Sequence, residues 1–490
     1  MNFVSTRGNG KISNGAQAVI KGIASDRGLY VPEQMPKLPL DPAQMKGMNY
    51  REIAHEILSA FLDDYSGETL QQCISNAYDE KFEAGEVVPV VKAGDAFFLE
   101  LFHGPTAAFK DLALSILPHL LTSALKKEQE NSRIVILTAT SGDTGKAALE
   151  GFANVPHTEI IVFYPHVGVS QVQERQMTTQ EGINTHVFGI RGNFDDAQSA
   201  VKKIFGDEAL TSELQRKGCK FSSANSINIG RLVPQVVYYV WAYVRMLEEG
   251  TLKPGEKMNV VVPTGNFGNI LAAYYAGQMG LPIGKLICAS NRNKVLTDFL
   301  NTGIYDIQRD FYVTSSPSMD ILISSNLERL LYHLSGNDGE QVASLMKRLE
   351  DEKRYEAGEK IKTGLSDFYG GYATDEETSA AIRDMYRDHQ YLMDPHTAVA
   401  YKVYADYRQS TGDKTPTVIA ATASAYKFAD VAAKSIGLPE QTDGFAAIQV
   451  LHSETGIRIP AGLYGLEDKP VRHPKVLDKE EIIQAVLDVL

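Results

Sequence analysis

The sequence predicts an α/β protein whose sheets are mostly parallel, with helices on their faces and a helical region at the amino terminus. Two observations carry this. Short apolar runs of β character alternate with helical patterns along most of the 490 residues, and strands joined by helices pair in parallel. Three of these runs also pass through a loop of small polar residues straight into a helical pattern, and such folds bind ligands at the carboxyl ends of their strands.

In chain order, residues 1–92 stand apart as an amino-terminal region. A turn-rich opening (SDRGLYVPEQMPKLPLDP) leads into two patterns with apolar residues at helical spacing, Tyr50 to Leu62 and Thr69 to Phe82, and nothing there has catalytic character by itself. From Val87 the texture turns to β-like runs (VVPVV, AFFLELF) and then to the helical stretch around Lys110. Three strand, loop and helix units follow. Arg133 to Thr140 leads through SGDTG (141–145) into KAALEGFAN, and Lys220 to Ala224 through NSIN (225–228) into IGRLVPQVVYYVWAYVRML. Met258 to Pro263 leads through TGNFGN (264–269) into ILAAYYAGQMG. Further β-like runs are Ile160 to Tyr164, Thr185 to Ile190, Lys285 to Ala289 and Thr417 to Ala421. Between about 326 and 393 the chain is charged and helical in pattern and reads as a solvated helical insertion.

Composition removes several classes of function. A content of 43% hydrophobic and 22% charged residues is that of an ordinary soluble globular protein. With 48 basic against 61 acidic residues the net charge is −13, which disfavours nucleic acid or an anionic membrane as partner; an anionic substrate would need local cations. Cys73, Cys219 and Cys288 are far apart and form no C-x-x-C pair, so neither a disulfide framework nor a cysteine zinc site is expected, and a reducing, cytoplasmic setting is. The histidines show no metal-binding spacing. The opening MNFVSTRGNGKISNG lacks the apolar core of a signal peptide, and the longest uncharged run, Asn259 to Gly284, is broken by prolines and glycines, so no spanning helix is expected.

The stretch from Phe98 to Leu121 (FLELFHGPTAAFKDLALSILPHLL) carries the strongest chemical signal. Pro105 and Thr106 read as a helix start. With Lys110 at the origin of a wheel, Ala113, Leu114, Leu117 and Leu121 fall within about 60° of it, and Asp111, Ser115 and His119 fall on the far side. The lysine is thus aimed into the apolar body. A buried amine is costly when charged, so it is neutralised, depressed in pKa or used covalently, as a lysine that carries an aldehyde cofactor is. The competing reading is a lysine whose stem packs while its head reaches water.

Among the loops, TGNFGN follows a strand and opens a helix, and Gly265 and Gly268 let the backbone approach a phosphate held by successive amides. It lacks the third glycine of a dinucleotide fingerprint, and SGDTGK lacks the glycine of a Walker loop. SGDTG is a second anion cradle, with the hydroxyls of Ser141 and Thr144; a helix cap alone is its other reading. Arg231, three residues after Asn228, can grip a phosphate with its fork or be a surface cation. Thr422 ends the run TVIAATA and taken singly is a helix cap.

FHGPTAAFKD, ATSGDTG, SANSINIGR, PTGNFGN and TASAYKF, in this order, closely resemble the motifs of the long, bacterial and fungal type of threonine synthase, and FVSTRG with GIASDRGLYVP resembles that family's start. The resemblance spans nearly the whole chain. It implies an α/β fold of the tryptophan-synthase-β-like kind (fold type II), with two mostly parallel sheets flanked by helices. It also implies a pyridoxal 5'-phosphate enzyme that converts O-phospho-L-homoserine and water to L-threonine and phosphate. The implied domains are 1–92, a large cofactor-binding unit of 93–130 with 215–490, and a small unit of 131–214. Carried over by motif position, Lys110 is the Schiff-base lysine and the acid/base for several steps. Gly265, Asn266, Phe267, Gly268 and Asn269 bind the cofactor phosphate, and Thr422 faces the pyridine nitrogen. Ser141, Asp143 and Thr144 belong to the substrate-carboxylate loop; Asn225, Ser226, Asn228 and Arg231 line the substrate side, with Lys427 beside them. The family leans towards monomers.

Two departures stand out. Relatives often read T-A-H-P-x-K-F where this chain has TASAYKF, so that histidine's role is absent here. Many fold relatives carry asparagine at Asp143, and an aspartate cannot donate to a carboxylate. The rival readings are a sibling lyase acting on serine, threonine or another phosphorylated amino alcohol, and a non-catalytic ligand-binding relative.

Overall fold

The computed structural model describes all residues except 11, 84, 141, 167–168, 193, 206 and 442, together with all of their side chains except those of 194, 195, 199, 202, 208, 209 and 211. Two sheets organise it. The larger has the strand order Phe368–Tyr372, Ile283–Ser290, Met258–Pro263, Thr417–Ala421, Ala96–Glu100, Val90–Ala93, parallel except for the last pair. The smaller runs Val476–Leu477, Thr185–Ile190, Thr158–Pro165, Arg133–Ala139, Cys219–Ser222 and is parallel throughout.

Why the strands are apolar on consecutive residues follows from what covers them. Side chains alternate between faces along a strand, and parallel sheets are covered on both. Ile134 and Ile136 enter the largest core cluster while Val135 and Leu137 enter another. In the larger sheet Val260 and Val262 join that same largest cluster, and Val261 joins a separate one on the opposite face. One core therefore lies against the inner faces of both sheets. The helix Ile229–Glu248 is buried along most of its length within it, which is why its sequence is apolar almost all round.

The amino-terminal region contributes the helices Tyr50–Phe61 and Gly67–Ala77 and a two-stranded antiparallel pair, Phe3–Ser5 with Tyr30–Pro32. The first of these helices opens on a capping box at Asn49 and Glu52 and packs its Ile53, Ile57, Leu58 and Phe61 into the shared core.

Two boundaries differ from the sequence-based expectation. Cys219–Ser222 and the carboxyl-terminal Val476–Leu477 belong to the smaller sheet, although the expected large unit included both. Ile482 and Val486 of the last helix also pack on that sheet's outer face. Hydrophobic periodicity identifies a strand but not its sheet. The expected helical insertion does contain the helices Leu327–Ser335, Gly339–Glu352, Glu359–Gly364 and Asp375–His389. It also supplies the edge strand Phe368–Tyr372, and its first turn buries Asn326 and Arg329 completely. It is not merely a solvated appendage.

Candidate active site

A loop that follows a strand in each sheet meets the segment of Lys110, one bearing Asp143 and the other Thr422. The segment that carries it is stitched to the end of the strand Thr417–Ala421. Phe109 N donates to Thr422 O at 2.8 Å, Ser424 N donates to Ala107 O at 3.1 Å, and Ala108 bridges to Ala423. This places Thr422 and Lys427 next to the lysine.

The local conformation differs from the expected helix. Helical structure begins at Asp111 and breaks after Leu114, and a second helix, Leu117–Lys127, follows. Pro105 and Thr106 therefore lie outside, and no single wheel covers the stretch. Thr106 caps nothing. Its hydroxyl and backbone N–H instead donate to the two oxygens of Asp111 at 2.6 and 2.8 Å, and Asp111 is buried rather than turned to solvent. Burial raises that carboxyl to about 6 against the pull of the Thr106 bonds.

Lys110 is nearly buried, as expected, but it faces a carboxylate rather than a purely apolar wall. Its Nζ lies 3.6 Å from Asp143 Oδ2 and 4.9 Å from the centre of the Phe109 ring. Burial pulls the amine below the ordinary lysine range; Asp143 opposes this, and Lys427 and Arg231 add to it. A lysine so placed has access to its neutral, nucleophilic form.

Asp143 opens the helix Asp143–Phe152, with Gly142 before it. Its Oδ1 accepts from Lys427 Nζ at 2.8 Å and from Gln173 Nε2 at 2.9 Å. Lys427 Nζ also donates to Thr106 O at 2.9 Å, and its side chain is wholly buried. Burial alone would raise the Asp143 carboxyl, but Lys427 and Lys110 outweigh it and hold it far below the usual carboxylate range. Asp143 thus serves cations of the site. Thr144 stands half-buried beside it, and Ser141 lies outside the described residues.

The 264–269 loop has the features of an anion cradle. Phe267 is left-handed (φ 63°) and leads into the helix Gly268–Gln278, whose first amides open toward the loop. A Cβ on Gly265 would sit 2.5 Å from Ser318 O, so this position is closed to larger residues, whereas one on Gly268 would meet nothing nearer than 3.4 Å. Asn269 Oδ1 accepts from the Tyr239 hydroxyl, and its buried Nδ2 has no partner among the described residues. An orphaned donor at the start of a helix fits a phosphate that would sit there.

The third segment, 223–231, is tied to this loop through Asn326, whose Nδ2 donates to Asn266 O at 3.0 Å and to Ser226 Oγ at 3.3 Å. Arg231 is buried, with one Nη bonded to Ala224 O and its Nε unpartnered. No carboxylate is paired with it among the described residues, and burial lowers its pKa to about 10. A buried guanidinium of this kind can bind an anion. Asn228 is engaged by the backbone. Its Oδ1 caps the helix through Gly230 N, and its amide hydrogens go to Val19 O and Ser223 O. Asn225 stays exposed.

Several residues of the site were not singled out in the sequence: Gln173, Asn326 and Arg329. Arg329 is fully buried and bonds Tyr30 O, Asn326 and Ile227 O, joining the amino-terminal strand to the 223–231 segment. No spacing rule points to them, since the partners that bring them to the site, Asp143, Asn266 and Tyr30, lie dozens to hundreds of residues away.

A nearly buried lysine with a lowered pKa and a glycine-bearing loop that opens a helix at a strand's end suit pyridoxal phosphate, and the model of the pyridoxal-phosphate-dependent enzyme family matches residues 90–423, which places the chain in that family. The threonine synthase amino-terminal model matches 2–78 and the threonine synthase carboxyl-terminal model 397–486. Threonine synthase of Pseudomonas aeruginosa is 39% identical over 439 residues, covering 89% of this chain and 90% of that protein. The structure described as PLP-bound threonine synthase from Brucella melitensis superposes with a TM-score of 0.89 at 36% identity, covering 100% of this chain and 99% of that one. The chain belongs to the threonine synthase family. Threonine synthase-like 1 of Homo sapiens is 42% identical over 439 residues, 87% of this chain; the chain spans 58% of that relative's length, and 61% of the corresponding protein of Pongo abelii. Among the described residues no helix is long and apolar enough to cross a membrane.

Proposed function

We propose that the chain is a threonine synthase, converting O-phospho-L-homoserine and water to L-threonine and phosphate, the last step of threonine biosynthesis. The observation that carries this reading is two unsatisfied buried donors, Asn269 Nδ2 on one loop and Arg231 Nε on another, with Arg231 close enough to Lys110 to disfavour its charged form. A reaction with one phosphate on the cofactor and a second on the substrate needs two such positions.

In this reading residues 265–269 hold the cofactor phosphate, Lys110 carries the cofactor, and Thr422 meets its pyridine nitrogen. Bound there, pyridoxal phosphate supplies the electron sink for charge developing at the α- and β-carbons. The chain supplies the rest. Lys110, once its amine is free, takes protons from these carbons and returns them. Ser141 and Thr144 serve the substrate carboxylate, while Lys427 is held by Asp143 and Thr106 O. Arg231, with Ser226 and Asn225, takes the substrate phosphate and stabilises its charge as it departs. The depressed Lys110 pKa supports the first role, since a base with the ordinary lysine value would be almost wholly protonated in neutral solution.

The test is release of phosphate and threonine from O-phospho-L-homoserine, with borohydride reduction and mapping of the labelled residue. Lys110→Ala should abolish turnover and covalent attachment and leave the fold intact. A label on another lysine overturns the assignment. The second reading, a sibling lyase for another amino alcohol, draws on the likeness to proteins named threonine synthase-like 1. Ammonia release from serine without phosphate release from O-phospho-L-homoserine would identify it.

A further inference from the structure

The carboxylate of Asp143 is not free to greet a ligand, and the way its two oxygens are used is unequal. Oδ1 is fixed twice, by Lys427 at 2.8 Å and Gln173 at 2.9 Å. Lys427 is itself anchored on Thr106 O at 2.9 Å, in the turn that leads to Lys110. Among the described residues Oδ2 has the Lys110 amine as its ion-pair partner, at 3.6 Å, just beyond hydrogen-bond length. The arrangement is a rigid buried pair with one oxygen aimed at the reactive amine.

We propose that Asp143 is a positioning residue whose Oδ2 receives and orients the free Lys110 amine, and that Asp143 and Lys427 set the proton affinity of that amine from opposite sides. The proposal rests on the reading that Lys110 carries the cofactor. Three charged groups face Lys110 from the elements packed on it: Asp143 from the helix Asp143–Phe152, Lys427 from the turn Ala425–Phe428, and Arg231 from the helix Ile229–Glu248. Asp111, its chain neighbour, is engaged by Thr106. Only Asp143 is an anion among the three, so it alone favours the charged amine, while Lys427 and Arg231 favour the neutral one. Because Lys427 and Gln173 keep Asp143 ionised, it does not trade protons itself. Of this pair it is Lys110 that gains and loses the proton.

The two partners therefore make opposite predictions. In full-length protein stripped of cofactor, the rate at which added pyridoxal phosphate is captured, followed by visible absorbance against pH, reports the midpoint at which Lys110 loses its proton. Asp143→Asn should move that midpoint down by about one pH unit, giving roughly tenfold faster capture below it. Lys427→Met should move it up, with slower capture. The double variant, which replaces a buried ion pair with neutral side chains of similar size and so keeps a folded protein within reach, should return it close to the unaltered value. If Asp143→Asn does not fold, comparing Lys427→Met with the double variant isolates the same effect. Midpoints that move together, or not at all, overturn the proposal and leave Asp143 a packing residue. Failure of the unaltered protein to capture the cofactor at Lys110 is a separate result, and it would remove the functional reading instead.

Discussion

Arg231→Ala probes the reading most directly, because the structure says what the side chain lacks. The guanidinium is buried, its Nε has no partner among the described residues, and one Nη–H is given to Ala224 O. Burial lowers its pKa only to about 10, so about one molecule in a thousand is neutral at neutral pH and the site keeps its cation. The overall charge of −13 gives an anionic substrate no long-range help. Recognition then falls to local donors, and a charge-assisted hydrogen bond is worth about 1.5–3 kcal/mol. At about 1.4 kcal/mol per tenfold, kcat/KM for O-phospho-L-homoserine should fall roughly ten- to a hundredfold. Arg231→Lys should recover part of this but not all, since a point charge does not reproduce the planar fork. Cofactor absorbance should persist in both variants, because the cofactor phosphate is assigned to 265–269. The assay is phosphate release beside the cofactor spectrum. Normal kcat/KM in Arg231→Ala would refute the role of this residue, and lost cofactor in a folded protein would mean that the two phosphate positions are exchanged.

The other expectations follow from single contacts. Gly265→Val should weaken cofactor binding more than Gly268→Val, because a Cβ at 265 collides with Ser318 O at 2.5 Å while one at 268 has room; equilibrium titration with pyridoxal phosphate decides the order. Arg329→Met should leave three acceptors, at Tyr30, Asn326 and Ile227, without their donor, and should lower stability by about 1–3 kcal/mol per acceptor left dry, read by urea denaturation. His333 contributes a pH dependence of known sign. Burial, with Arg329 nearby, lowers its pKa from the ordinary value to about 4, so between about 4 and 6.5 the unfolded chain binds the extra proton. Stability should therefore rise with pH across that window, by about 1–3 kcal/mol given that solvent reaches the ring edge. His333→Gln should flatten the slope of the midpoint against pH.

What the sequence by itself determined is the set of parts. The strands Met258–Pro263 and Thr417–Ala421 coincide with the expected runs, because strands buried on both faces leave a largely apolar signature. Lys110, TGNFGN and Arg231 were legible for the same kind of reason: a cation in an apolar context and glycines at a strand's end each carry a local physical cost that needs an explanation. What only the tertiary structure decided is how the parts meet. Asp111 sits on the polar side of a wheel yet is buried, because the helix breaks after Leu114 and Thr106 turns back to hold its carboxylate. Asp143 reads as part of a carboxylate-binding loop but is engaged by Lys427, nearly three hundred residues on. Asn228 reads as a ligand contact but spends its amide on Val19 O and Ser223 O. In each case the competing partner lies on a segment that local periodicity cannot bring near, and a buried polar group takes whichever partner the packed core presents.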